Sequence, residues 1–351
     1  MKEPAFLIFS LLMILLSAEI FTNGVESLGR RLSLSQAVVG SILAAVGTAL
    51  PETMLPLVAI LMHGGDSAKE IGVGAILGAP FMLSTLAFFL VGLTVLISFI
   101  RKKRKFELRI EAHSMKRDLV FFIALYSIAI FLPLLAGSGH VYIAILLVIG
   151  YLIYAYKTFK GESAGILHTP ELYFKKFIAN GLPVVRRPQP ADNSQTADKH
   201  SSEAGLFLIL FQVLSALALM VGGAHVFVGS LQKLSASWGM NPMLFALLVA
   251  PIATELPEKF NSVTWTLKGK DTLALGNITG AMVFQSTFPV SIGLLFTDWR
   301  LSGLGLFSAI LALISACAVA AEIHIRGRLS PVTVLLGGGG YIIYAFAVFF
   351  S

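Results

Sequence analysis

Hydrophobic positions in this chain are not spaced as one face of a helix or strand. They run together, and the runs repeatedly reach the roughly 20 residues that cross a bilayer. Ten such runs stand at residues 5–24, 35–62, 71–99, 118–136, 140–157, 204–228, 240–266, 272–296, 301–321 and 330–350. Within lipid each must satisfy its own backbone, so the pattern predicts an all-α integral membrane protein of ten transmembrane helices. Residues 2–18 imitate a signal peptide, with a charge, an apolar core and Ser17-Ala18-Glu19 as a cleavage-like end. The internal repeat described next pairs this segment with span 6, which makes it a retained first helix.

The polar interruptions carry more information than the runs. Span 2 holds Gly47-Thr48-Ala49-Leu50-Pro51-Glu52, and span 7 holds Ala253-Thr254-Glu255-Leu256-Pro257-Glu258. Laid without gaps on 224–258, residues 18–52 match at eight of 35 positions, four of them being Thr48/Thr254, Leu50/Leu256, Pro51/Pro257 and Glu52/Glu258. Spans 3 and 8 add Gly74-Ala75-Ile76-Leu77-Gly78 against Gly276-Asn277-Ile278-Thr279-Gly280. With five crossings per half, the second copy enters the membrane from the opposite side, so the expected plan is two inverted five-helix repeats. The first repeat is expected at 1–157 and the second at 204–351. Between them, 158–203 contains Pro170, Pro183, Pro188, Pro190 and a polar run from Ala191 to Glu203, a composition that reads as a linker unable to order itself.

Composition matters through where the charges lie. The chain is 56% hydrophobic and 13% charged, with a net charge of +7. Counting Lys157 at the edge of span 5, the loops after spans 1, 3, 5, 7 and 9 hold 21 of the 26 Lys and Arg. The positive-inside rule then puts 158–203 in the cytoplasm and both termini outside a plasma membrane. The run Arg101-Lys102-Lys103-Arg104-Lys105 reads as a topology signal against anionic lipid, which removes the case for nucleic acid as a partner. The compact chain and short linker fit a prokaryotic cell, and no protein partner is evident. Cys317 stands alone in span 9 and reads as a small packing residue. His63 falls at a membrane boundary and reads as solvated, while spans 4 and 5 read as plain lipid-facing helices.

A carboxylate at membrane depth is costly and a proline there breaks backbone pairing, so two symmetric copies of both mark a functional site. Thr48 and Glu52 are four apart on one helix face, as are Thr254 and Glu258. Pro51 removes the donor for the Gly47 carbonyl, and Pro257 does the same for Ala253. Each repeat thus offers a carboxylate, a hydroxyl and freed carbonyls, hard oxygen ligands suited to Ca2+ or Na+. Asn277 and Gln285 on span 8 are candidates to complete the shell. The bland alternative is that the prolines are kinks and the glutamates bond neighbouring helices. Glu19 and His225, aligned with each other, are weaker candidates for the interior.

At these residues the chain resembles the cation/calcium exchanger superfamily, in particular the sodium/calcium exchanger type. Its paired repeats carry a Gly-Thr-Ser-Leu-Pro-Glu-like segment followed by a Gly-Asn-x-x-Gly-Ser-Asn-like segment. The resemblance implies alternating access, with the divalent cation and the driving ion competing for one midplane site. It also implies ligand roles for Thr48, Glu52, Thr254 and Glu258, and a sliding or rocking role for spans 1 and 6. The chain departs from the pattern where Ala49 and Glu255 replace a serine, Ala79 and Ala281 another, and Leu83 and Gln285 stand where the family places Asn or Asp. Hydroxyl and amide ligands are lost, mostly from the first repeat, and one carboxylate is gained. Like charges in a low-dielectric site raise at least one pKa, so Glu255 makes a proton the second candidate for the coupling ion.

The expected activity is therefore antiport of Ca2+ against Na+, with Ca2+ or another cation against H+ as the alternative, and with no resident cofactor. A membrane-embedded enzyme is disfavoured, since the chain has no His-Glu-x-x-His zinc motif and no nucleotide loop. A non-transporting membrane protein is the remaining class.

Overall fold

A computed structural model describes residues 2–32, 44–137, 139–161, 172–174, 205–301 and 303–349. Among these, every regular element is helical. The order is α1 Glu3–Arg31, α2 Ala44–Leu61, α3 Asp66–Ile100, α4 Ala112–Ala136, α5 His140–Gly161, α6 Leu206–Trp238, α7 Pro242–Leu267, α8 Asp271–Phe296, α9 Gly303–Arg326 and α10 Pro331–Phe349. Eight of these are long and apolar enough to cross a membrane, while α2 and α7, the motif carriers, supply shorter apolar stretches at Ala49–Leu61 and Pro242–Glu255. The ten helices fall on the ten predicted runs. α1 and α6 extend beyond theirs, to Arg31 and Trp238, because helical backbone continues after the apolar stretch has ended. The start of α7 follows local rules: the Asn241 side chain accepts from Leu244 N at 3.1 Å, and Pro242 takes the first helical position.

Two compact units are present, and neither coincides with a single repeat. The larger comprises Met1–Leu11, Glu52–Gly161 and Gly223–Ser351. Its organising contact is α3 against α7. Gly74 and Gly78, one turn apart, face the α7 backbone so closely that an added Cβ would run into the carbonyl oxygens of Met243 and Leu247. Gly72 packs on α2 in the same way, facing Ile60 and Pro56. Small residues let these backbones meet where any side chain would hold them apart. Gly337 and Gly338 of α10 pass Thr85, Ser84 and Phe89 of α3, so this glycine run serves close packing.

The same unit corrects three expectations. Arg104, expected at lipid, donates to both carboxylate oxygens of Asp271 at 2.9 and 2.6 Å and to the carbonyls of Thr266 and Glu107. Asp271 also accepts from the backbone N of Arg109 at 2.9 Å, so the loop before α4 is clasped to the turn between α7 and α8. α4 is not a plain lipid-facing helix, because its buried Asp118 pairs with Arg117 and accepts from Thr279 of α8 at 2.8 Å. Cys317 lies exposed on the outside of α9 rather than between helices.

The smaller unit comprises Leu12–Pro51 and Glu162–Gly222. In it α1 and α6 cross at Gly24, whose absent Cβ makes room for Val213. Gln212 donates to the Ile20 carbonyl and to Asn23 Oδ1, both at 3.0 Å. Part of the expected linker docks here: Leu172 is buried, Tyr173 N donates to Asn23 Oδ1, and Phe174 N donates to Gln212 Oε1. Glu19 is exposed and accepts from the Tyr173 hydroxyl at 3.0 Å, so it does not point into a bundle interior.

Gly74→Ala should therefore reduce folded, monodisperse protein in detergent chromatography, at a cost of at least the roughly 1–3 kcal/mol typical of overpacking. Gly276→Ala, at the aligned position with open space around it, should not. Asp271→Asn leaves a largely buried guanidinium without its carboxylate. It should lower the apparent melting temperature, with a cost of about 3–5 kcal/mol in thermal unfolding of the purified protein.

Candidate cation site

The carboxylate motifs sit in helices that continue through their prolines. α2 runs through Pro51 and α7 through Pro257, and at each the missing N–H leaves the carbonyl four residues back without its usual donor. Glu52 is buried on α2. On α7, Ala253, Thr254 and Glu255 are buried, and the Thr254 hydroxyl donates to the Ala250 carbonyl at 3.1 Å. That bond fixes the proton and turns the oxygen lone pairs outward. The backbone positions of Gly47, Thr48 and Glu258 lie in helix, but their side chains fall outside the described residues.

α7 carries a buried polar stripe that the motif alone did not announce. Glu255, Lys259, Ser262 and Thr266 recur at helical spacing on one face and are all fully buried. Ser262 donates to the Ala274 carbonyl of α8 at 3.2 Å, and the stripe ends at Thr266, whose carbonyl accepts from Arg104. Lys259 was visible in the sequence as the one basic residue in span 7. Its place four residues after Glu255 was the signal that would have singled it out.

α3 and α8 are interrupted at the same aligned place. α3 changes to π-helix over Leu83–Ala87, and α8 breaks between its two segments, Asp271–Gln285 and Phe288–Phe296. The register that pairs Gly78 with Gly280 pairs Ser84 with Ser286 and Thr85 with Thr287, identities that sequence reasoning stopped short of. All four are buried, and each hydroxyl donates to a carbonyl of its own preceding turn. Thr85 reaches Phe81, and Thr287 reaches the aligned Val283 at 3.0 Å. The α3 interruption is sealed by α9, since Ser315 donates to the Ser84 carbonyl. Near the α8 break, Ser291 donates to the Ala144 carbonyl of α5 at 3.2 Å. π-turns and broken helices of this kind gather at functional sites because they expose carbonyls that a regular helix would consume.

Of the predicted shell on α8, Gln285 is buried at the break and Asn277 is half-buried. Among the described residues, no three His, Cys, Asp or Glu side chains gather as a metal cage. His63 is not solvated as expected. Its ring lies 4.0 Å from that of His225, its Nδ1 is buried, and burial first and His225 second hold it below the usual histidine range. His225 thus meets His63 at the end of α2, away from the motif turn.

In chemical terms α2, α3, α7 and α8 offer carboxylates, hydroxyls, amides and interrupted backbone, an oxygen-donor set with one ammonium among it. Comparison with known proteins gives this donor set its context. CaxA of Alkalimonas amylolytica, named "Putative antiporter CaxA", is 25% identical over 297 residues, covering 82% of this chain and 79% of CaxA. The crystal structure of the H+/Ca2+ exchanger CAX superposes with a TM-score of 0.67 at 16% identity, over 99% of this chain and 86% of that one. The sodium-calcium exchanger NCX_Mj superposes with a TM-score of 0.56 at 17% identity, over 99% of both chains. Both superpositions run over nearly the whole chain, which shares the fold of these exchangers. The sodium/calcium exchanger protein family model matches residues 2–160 and 208–351, taking in all ten helices, and the chain belongs to that family of membrane cation exchangers.

Proposed function

We propose that this chain is a secondary active antiporter of the plasma membrane that moves Ca2+ against Na+ by alternating access. The observation that carries the reading is the burial of Glu52 and Glu255 on motif helices that, in a family of exchangers, are related by an inverted repeat. Charges buried at membrane depth are retained where an ion meets them. In this reading Glu52 and Glu258 are the central carboxylates. Thr48, Thr254 and the Gly47 and Ala253 carbonyls add oxygen ligands, and Asn277 and Gln285 close the shell from α8. Only a neutralised site crosses the low-dielectric interior cheaply, so either ion licenses the change of access and an empty site does not.

A second reading, exchange against H+, is favoured by one observation. Glu255, standing where the family carries serine, is 1% exposed, so it adds a carboxylate to the interior rather than to a water-facing rim. The antiporter designation of CaxA is compatible with either driving ion.

Purified protein in liposomes should take up 45Ca2+ when loaded with Na+ and diluted into Na+-free buffer at equal pH. Glu52→Gln should abolish that uptake while leaving expression and chromatographic behaviour largely intact. Full uptake by Glu52→Gln would remove it from the site, and uptake under an outward H+ gradient alone would decide for the second reading. For orientation, a cysteine placed at Ser194 in a Cys317→Ser background should react with an impermeant maleimide only after cells are permeabilised. Labelling of intact cells would reverse the topology.

A further inference from the structure

Among the described residues five charged side chains are buried: Glu52, Asp118, Glu255, Lys259 and Asp271. Asp118 faces Arg117 and Asp271 faces Arg104, while Glu52, Glu255 and Lys259 stand on the motif helices. Lys259 is 1% exposed and lies eight residues before the end of α7 at Leu267, about 12 Å along the axis. Such burial excludes an ammonium that reaches water by stretching along the helix. Side chains on a helix lean toward its N-terminus, so Lys259 lies over the turn that presents Glu255. Glutamate four residues before lysine is the favourable order for such a pair.

The repeat register sharpens this. The first-repeat counterparts of Glu255 and Lys259 are Ala49 and Thr53, both uncharged. One negative and one positive charge therefore stand together in one repeat, on one face, and their sum is zero.

We infer that Lys259 is a tethered cation of the exchange site, offsetting Glu255 so that the site keeps the charge of its two motif glutamates. The inference rests on the antiporter reading above and extends it to the number of ions exchanged. Glu52, Glu255 and Glu258 contribute three negative charges and Lys259 one positive, leaving two. One divalent cation or two monovalent cations neutralise that charge. Each half of the cycle then crosses the membrane electrically neutral, at two monovalent ions per divalent ion, whichever monovalent ion drives it. With Lys259 neutralised, three monovalent ions balance the site, and exchange for one divalent cation moves a net charge.

The test is 45Ca2+ uptake by proteoliposomes whose membrane potential is clamped with K+ and valinomycin. Wild-type uptake should be insensitive to the clamp, with a gradient-balance stoichiometry of two. Lys259→Gln should raise the stoichiometry toward three, make uptake voltage-sensitive and tighten Ca2+ binding about tenfold or more. Lys259→Arg should keep the wild-type stoichiometry, and Glu255→Gln/Lys259→Gln, with the site charge again at two, should restore voltage insensitivity whatever its rate. A pair with a purely structural role predicts loss of folded protein with no change in charge moved per turnover. A wild-type stoichiometry other than two, or a folded Lys259→Gln that ignores the clamp, overturns the inference. If Lys259→Gln does not fold, Glu255→Gln decides it: with Lys259 retained the site charge falls to one, so the stoichiometry should drop below two and uptake should become voltage-sensitive, and an unchanged stoichiometry overturns the inference. Wild-type protein that carries no Ca2+ under any gradient fails the antiporter reading itself, and this inference with it.

Discussion

The contact on which the larger unit depends is the meeting of α3 and α7 backbones at Gly74 and Gly78. Within a membrane there is no hydrophobic drive between helices, so they associate where shape allows their backbones to touch and disperse elsewhere. Two glycines one turn apart give α7 a groove, and the carbonyls of Met243 and Leu247 occupy the space that side chains would fill. The contact has a geometric consequence. It fixes the helix bearing Thr254, Glu255 and Lys259 against the helix that changes to π geometry five residues after Gly78. A motif helix of one repeat is thereby held against an interrupted helix of the other.

Around that contact, interruptions of regular structure are sealed rather than left open. Lipid offers no donors or acceptors, so a broken helix survives only where protein supplies them. Ser315 covers the Ser84 carbonyl, Ser291 bridges to Ala144, and the hydroxyls of Thr85 and Thr287 turn back on their own helices. The charged groups obey the same rule, with Asp271 gripped by Arg104 and Asp118 by Arg117 and Thr279. Breaks at aligned positions of α3 and α8, each met by helices from elsewhere in the unit, are what a duplicated plan requires of its two copies.

Much of this plan was legible because bilayer physics writes it in composition. Long apolar runs gave the helices, and Pro51 with Glu52 against Pro257 with Glu258 gave the repeat. Helix ends were less legible, since hydropathy reports the bilayer and not the backbone, which is why α1 and α6 overran. The π-turn was hidden because a change of hydrogen-bond register leaves no trace in hydropathy. Only the Ser84-Thr85 and Ser286-Thr287 identities hinted at it. Arg104 could not be told from its neighbours in a basic run, because what distinguishes it is Asp271, 167 residues away. Glu19 and His63 were misplaced for a related reason. Their partners, Tyr173 and His225, are set by tertiary packing and not by local sequence.

The two repeats share geometry but not chemistry. Where α3 has Ala75 and Leu83, α8 has Asn277 and Gln285, and where α2 has Ala49 and Thr53, α7 has Glu255 and Lys259. Polar groups are thus concentrated on the α7–α8 hairpin, and the first repeat carries less polar residues at the same positions. A hairpin loaded in this way needs rigid support, because polar groups held loosely in a low-dielectric interior find partners by distorting it. The Arg104–Asp271 clasp at its turn and the Ser262–Ala274 bond between its helices supply that support. On the first-repeat side, α3 is clamped through its glycines instead, whereas a Cβ added at Gly276 of α8 would meet nothing within 4 Å. Duplication accounts for the shared breaks. The unequal placement of charge departs from that symmetry, and it places the electrostatic character of this exchanger chiefly on α7.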